Sequence, residues 1–193
     1  MAFALLLAGL IWLAAFQVLP PLDGMATPLD RLVFALKCIC TVLLFTMLMG
    51  VEAVSHDRLA SAAFDPLAGQ ESHRLKVYIR YLQNTLEQVV LFVPGVFALA
   101  VYCDSGSSMR AVVASSLVWA LARLAFWIGY HLGPQHRVAG LVGAMQSMFV
   151  LLYVTARFGF EIAGAIGAAV PIILFVVAEI VLVWKARRQA SRP

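Results

Sequence analysis

Two groups of polar side chains interrupt apolar stretches of this sequence: Arg80, Asn84 and Glu87 in one, and Arg123, Tyr130 and Arg137 in and just beyond the next. Ionisable residues cost roughly 2.5–3.5 kcal/mol each at the centre of a membrane helix, and they persist mainly where they pair or line a wet cavity. Steps of four and then three residues place Arg80, Asn84 and Glu87 on one helical face, as a stripe about 10 Å long. Arg123 and Tyr130 are two helical turns apart, and Arg137 follows just past Gly133 and Pro134. Such a set suits a small anionic, peptide-like ligand. Guanidinium groups would take its carboxylates, an amide and a carboxylate would take its backbone and ammonium, and a rigid hydroxyl completes the set. Spacing alone equally allows Arg80 and Glu87, or Arg123 and Glu87, to neutralise one another between helices.

Composition dictates the elements that carry these residues. With 63% hydrophobic and 12% charged residues and a mean hydropathy of +0.92, the chain lies far from soluble domains and is expected to be an all-α integral membrane protein. A membrane-crossing helix needs about 20 apolar residues. Six stretches qualify: residues 2–19, 31–52, 75–102, 110–132, 138–158 and 163–184. No Lys or Arg precedes the first, and it runs to Pro20 and Pro21, so a retained helix is expected rather than a secretion signal. If the spans alternate, Arg58, Arg74, Lys76, Arg137, Lys185, Arg187, Arg188 and Arg192 share one side, against Arg31, Arg110 and Arg157 on the other. The excess of positive charge puts both termini in the cytoplasm.

The longest polar stretch, residues 53–74, joins the second and third spans. The other connections are short, with a break expected near Gly159, so consecutive helices become antiparallel neighbours within one membrane domain over residues 1–193. Gly140, Gly143, Ala144 and Ser147 recur at helical spacing, which lets a neighbouring helix approach closely.

The segments RYLQNTLEQ, residues 80–88, and ARLAFWIGYHLGPQHR, residues 122–137, resemble two signatures of the MAPEG family, the membrane-associated proteins of eicosanoid and glutathione metabolism. The first is similar to an Arg-x3-Asn-x2-Glu pattern on the second core helix. The second is similar to an Arg followed by Gly-Tyr, with another Arg beyond the end of the third. The likeness is to the family's microsomal glutathione transferases, and it implies a four-helix core over residues 31–158. Residues 1–30 and 159–193 would then each add a peripheral transmembrane helix. It further implies glutathione as co-substrate and a homotrimer with sites between subunits, open to the cytoplasm and to the bilayer. By matching position, Arg80, Asn84 and Glu87 would hold the tripeptide, Arg123 and Tyr130 would complete its pocket, and Arg137 would be the catalytic residue. A guanidinium beside a thiol lowers its pKa, and the thiolate is the nucleophile. Phe126 and Gln88 stand where the family's leukotriene synthases carry Tyr, which argues against leukotriene synthesis more than against glutathione binding.

The expected function is a glutathione-dependent membrane transferase or peroxidase acting on a lipophilic electrophile or lipid hydroperoxide that arrives through the bilayer. A non-catalytic, lipid-binding adaptor of the same fold is the alternative, motivated by the two missing hydroxyls. A transporter built around Lys37 and Glu52 is a third reading, and it has no motif. His56, Arg58, Arg74 and Lys76 read first as solvated loop charges, and Glu52 and Glu179 as neutralising partners of basic groups. His131 and His136 are five residues apart across a proline, and Cys38, Cys40 and Cys103 have neither framework nor metal-ligand spacing, so no metal site is expected. The basic tail KARRQASRP directly follows a span; it reads as a topology anchor beside anionic lipid, with no nucleic-acid partner.

Overall fold

The computed structural model describes residues 2–65, 67–133, 136 and 138–190, and the regular elements among them are all helical. They are α1 (Ala2–Val18), α2 (Pro28–Leu59), α3 (His73–Tyr102), α4 (Arg110–Leu132) and α5 (Val138–Ala190). Four of them, α2 to α5, are long and apolar enough to cross a membrane. Helix α1 has 17 residues, which reach about 25 Å at 1.5 Å per residue, against a hydrocarbon core of about 30 Å. The six apolar stretches of the sequence therefore resolve into four long helices and one shorter one, the last two stretches falling within α5. The chain forms two compact units, Met1–Met148 and Phe149–Pro193.

In the first unit, local sequence sets the helix ends. Thr27 caps α2 in a reciprocal box with Asp30, and Pro28 occupies the first turn, where its missing N–H costs nothing. Ser72 caps α3 by accepting from the Leu75 N–H. The buried residues of α3, Tyr81, Thr85, Gln88, Phe92, Val96 and Leu99, recur at steps of three and four, as do Val112, Ser115, Trp119, Ala122, Phe126 and Gly129 on α4. These are the seams along which helices pack. Helix α3 lies against both α2 and α4. Stacking of Phe92 on Trp119, with ring centres 4.4 Å apart, and of Tyr81 on Trp127 at 4.9 Å fixes the α3–α4 register. A π-helical turn at Leu44–Leu48 widens α2, and the Thr46 carbonyl there accepts the Tyr81 hydroxyl at 3.1 Å.

Helix α1 is docked antiparallel on α4. Trp12 Nε1 donates to Ser115 Oγ at 3.0 Å, Arg110 Nη1 donates to the Leu19 carbonyl at 3.1 Å, and the Arg110 guanidinium sits 4.8 Å from the Phe16 ring. Gly106 accepts from the Leu22 N–H through its carbonyl, and a β-carbon at 106 would strike the Leu22 backbone. The small residues of α5 act as the sequence predicts. A β-carbon at Gly140 would collide with the Phe126 ring, Gly143 admits Gln88 and Ala122, and Ser147 is buried.

In the second unit the break in α5 falls at Ala163 and Gly164, a few residues beyond the expected Gly159. Gly164 adopts φ 60°, ψ −144°, a conformation that only glycine takes readily. Gly159 and Gly167 then lie against each other, and a β-carbon on either would strike the other's carbonyl. Eight residues of straight helix separate such positions by about 12 Å, so the chain doubles back at this point. Gly159 is thus part of the hairpin as a contact rather than as the bend.

Candidate functional site

Of the expected site residues, Asn84 on α3 and Arg123 on α4 come into contact. Arg80 and Glu87 are exposed on α3, and Asn84 is half-buried between them. Arg80 and Glu87 do not pair directly. Gln83, one turn from each, bridges them: it accepts from Arg80 Nη1 at 3.2 Å, and its Nε2 lies 3.5 Å from Glu87 Oε1. Sequence reading passed over Gln83, although its spacing of three from Arg80 and four from Glu87 carries the signal.

Arg123 is the centre of the arrangement. It is fully buried in the packed face of α4, and its Nη1 donates to Asn84 Oδ1 at 3.1 Å. Its guanidinium carbon lies 4.2 Å from the centre of the Phe126 ring. Among the described residues the Nε and Nη2 atoms have no hydrogen-bond partner, and no carboxylate lies within ion-pairing distance. A buried charge without a counter-ion costs several kcal/mol, and each unmet donor adds roughly 1–3 kcal/mol. The mutual neutralisation of Arg123 and Glu87 that spacing allowed is therefore not formed, and the buried guanidinium keeps two donor atoms for something else.

Tyr130 joins this cluster through its ring, which meets Phe126 edge-on at 4.8 Å. Phe126, read from the sequence as a lost hydroxyl, serves as the aromatic floor under Arg123 and as the contact that Gly140 admits. Gln88, the other lost hydroxyl, points into the bundle, where its Nε2 donates to the Gly140 carbonyl at 3.4 Å. Tyr81 is a further contributor that the motif reading passed over. It is fully buried, its hydroxyl donates to the Thr46 carbonyl, and its ring stacks on Trp127 and meets Phe126. Arg137 lies outside the described residues.

The secondary candidates separate cleanly. Arg74 Nε donates to the buried Asp57 carboxylate at 2.7 Å, closing the α2–α3 connection, so Arg74 is a structural partner. His56 lies 3.4 Å from Glu52 one turn away on α2. Arg58 keeps a buried Nε with no partner, and Lys76 is exposed. Lys37 and Glu52 share one helix, about 22 Å apart along its axis, so nothing joins them into a transport site. The His131 ring packs on Tyr78 at 5.4 Å, and the His136 backbone lies over Gly129. Among the described residues no three His, Cys, Asp or Glu side chains cluster as metal ligands.

Comparison with known proteins places this geometry in a family. The MAPEG family model matches residues 32–157, well over half of the chain. The uncharacterized protein sll1147 of Synechocystis sp. is 31% identical over 85 residues, a match covering 44% of this chain and 58% of that relative's length. No solved structure matches the chain. The chain belongs to the MAPEG family, as an all-helical, integral membrane member.

Proposed function

We propose that this MAPEG protein is a glutathione-dependent membrane transferase or peroxidase, which activates the thiol for attack on a lipophilic electrophile or lipid hydroperoxide supplied by the bilayer. One observation carries the reading: among the described residues Arg123 is fully buried, bonded to the neutral amide of Asn84, and left with two unmet donor atoms, while Arg80, Gln83 and Glu87 form a polar chain on the same helix as Asn84. A carboxylate of the tripeptide would satisfy those donors bidentately. Glu87 would hold its ammonium, Tyr130 would flank it, and Arg137 would lower the thiol pKa.

The exposure of Arg80 and Glu87 on a membrane-spanning helix supports self-association, because lipid is a poor neighbour for such charges and a second copy would cover them; family membership suggests that the assembly is a homotrimer. The hairpin at Gly164 supports two crossings within α5, and the antiparallel docking of α1 supports a further one. Together with the distribution of Lys and Arg, these features favour six spans with both termini cytoplasmic.

Purified protein mixed with glutathione should show thiolate absorbance that disappears in Arg137→Ala. A signal that survives the substitution removes Arg137 from the mechanism, and the absence of any signal in the wild type removes the enzyme reading. The second reading, a non-catalytic lipid-binding adaptor, is favoured by positions 88 and 126, where Gln and Phe are packed into the core and offer no hydroxyl for chemistry. It predicts lipid binding without a glutathione heat signal.

A further inference from the structure

Beyond Arg123, three antiparallel helices bury polar atoms for which they provide no partners. On α4, Ser116 Oγ, Trp119 Nε1 and Arg123 Nε and Nη2 recur at steps of three and four, and so lie along one face for about 10 Å. Helix α3 adds Gln88 Oε1, and α5 adds both amide atoms of Gln146 and the Ser147 hydroxyl, all buried and unpartnered. Trp119 and Arg123 have no exposed surface, and Ser116 and Ser147 have almost none.

Gly143 ties the three helices together. A β-carbon there would lie 3.3 Å from Gln88 Oε1 and 3.8 Å from Trp119 Cδ1, while Gln146 and Ser147 stand one turn further along α5. At the other end, Asn84 is one turn from Gln88 and accepts from Arg123. The polar atoms therefore form a seam running from the guanidinium into the bundle.

Buried polar groups in folded proteins are almost always hydrogen-bonded, and an apolar core would be more stable than an unmet polar one. Buried water ordinarily fills such places where several polar groups converge. The atom types define the occupant further. Trp119 donates, Gln88 Oε1 accepts, and Gln146 and the two hydroxyls can do either; these unpartnered atoms are all neutral. We propose that Gln88, Ser116, Trp119, Gln146 and Ser147 line an internal hydration site on the inner side of Arg123, which takes water or other small, neutral hydrogen-bonding groups. The site does not depend on glutathione being the ligand.

Radiolytic footprinting in heavy-oxygen water, on the full chain in lipid nanodiscs, tests this directly, because radicals formed from bound water label the side chains around it. Trp119 should take the heavy-oxygen label despite its complete burial, and the label should be lost in Gln88→Leu/Gln146→Leu while Trp184, half-exposed on α5, keeps its own. An unlabelled Trp119 in the wild type overturns the proposal, as does a label that persists in the double variant. Where the double variant does not fold, Ser147→Ala decides. A lowered thermal midpoint is expected because bound water loses a partner, and an unchanged or raised midpoint would show that the hydroxyl is buried dry.

Discussion

In the Asp104–Arg110 turn, polar groups satisfy one another; at the level of Asn84 and Arg123, a buried guanidinium keeps two nitrogens without acceptors among the described residues. The Asp104 carboxylate accepts from the Ser108 and Ser105 hydroxyls, Ser108 Oγ accepts from the Asp104 and Ser105 N–H groups, and Arg110 closes on the Ser107 and Leu19 carbonyls. Arg123, by contrast, has one neutral partner and an aromatic face. The lesson is that a charged residue in a membrane bundle is a site candidate when its hydrogen-bonding capacity is unspent. Arg110 and Arg123 occupy the same helix, and of the two Arg123 is the one with buried donors left unpartnered.

The largest test of this contrast is Arg123→Met. If the guanidinium binds an anion, calorimetry should show glutathione affinity falling by about 2–5 kcal/mol, the usual loss when one partner of a buried hydrogen-bonded charge pair is removed. Thermal stability should hold or rise, since an unmet buried charge is removed along with it. A large fall in stability with affinity retained would make Arg123 a structural residue like Arg110.

Gly140→Leu should come next. Its side chain would enter the Phe126 ring that floors Arg123, with an overpacking cost of about 1–3 kcal/mol in chemical denaturation. Phe126→Ala in the same chain should restore part of the loss, because the two residues share one volume.

At the satisfied end the effects should be smaller and confined to stability. Trp12→Phe removes the hydrogen bond to Ser115, lowering stability by about 0.5–1.5 kcal/mol without changing glutathione affinity. The smallest effect concerns pH. The Ser108 and Ser105 hydroxyls hold the Asp104 carboxyl below the usual carboxylate range. A depressed folded-state pKa contributes stability above the unfolded value, which is lost as pH falls through the folded one. The thermal midpoint of Asp104→Asn should therefore lie slightly below wild type at neutral pH, with the gap closing below roughly pH 4. A gap that persists in acid would show that the loop depends on shape rather than on charge.

Much of this was legible in the sequence because membrane helices announce themselves by length and apolarity. The α2, α3 and α4 spans fell close to expectation, and the Arg80, Asn84, Glu87 and Arg123 spacing placed those residues on facing helices. What spacing could not decide was which polar groups would be used up. Arg80 and Glu87 are joined through Gln83, and Gln88 turns inward to Gly140, because side-chain direction depends on neighbours that periodicity does not describe. The α5 hairpin was misplaced by a few residues for a similar reason. Both Gly159 and Gly164 look like breakers in sequence, but one supplies close contact and the other supplies the left-handed backbone. The terminal stretch of α1 illustrates a third limit: its docking rests on Arg110 and Ser115, nearly a hundred residues away in the chain.

The most direct test of the central claim is a structure of the protein with glutathione bound. The expected result is a ligand carboxylate accepting hydrogen bonds from Arg123 Nε and Nη2, with Glu87 and Asn84 contacting the same molecule. Glutathione bound elsewhere, with those two nitrogens still facing no ligand atom, would contradict it.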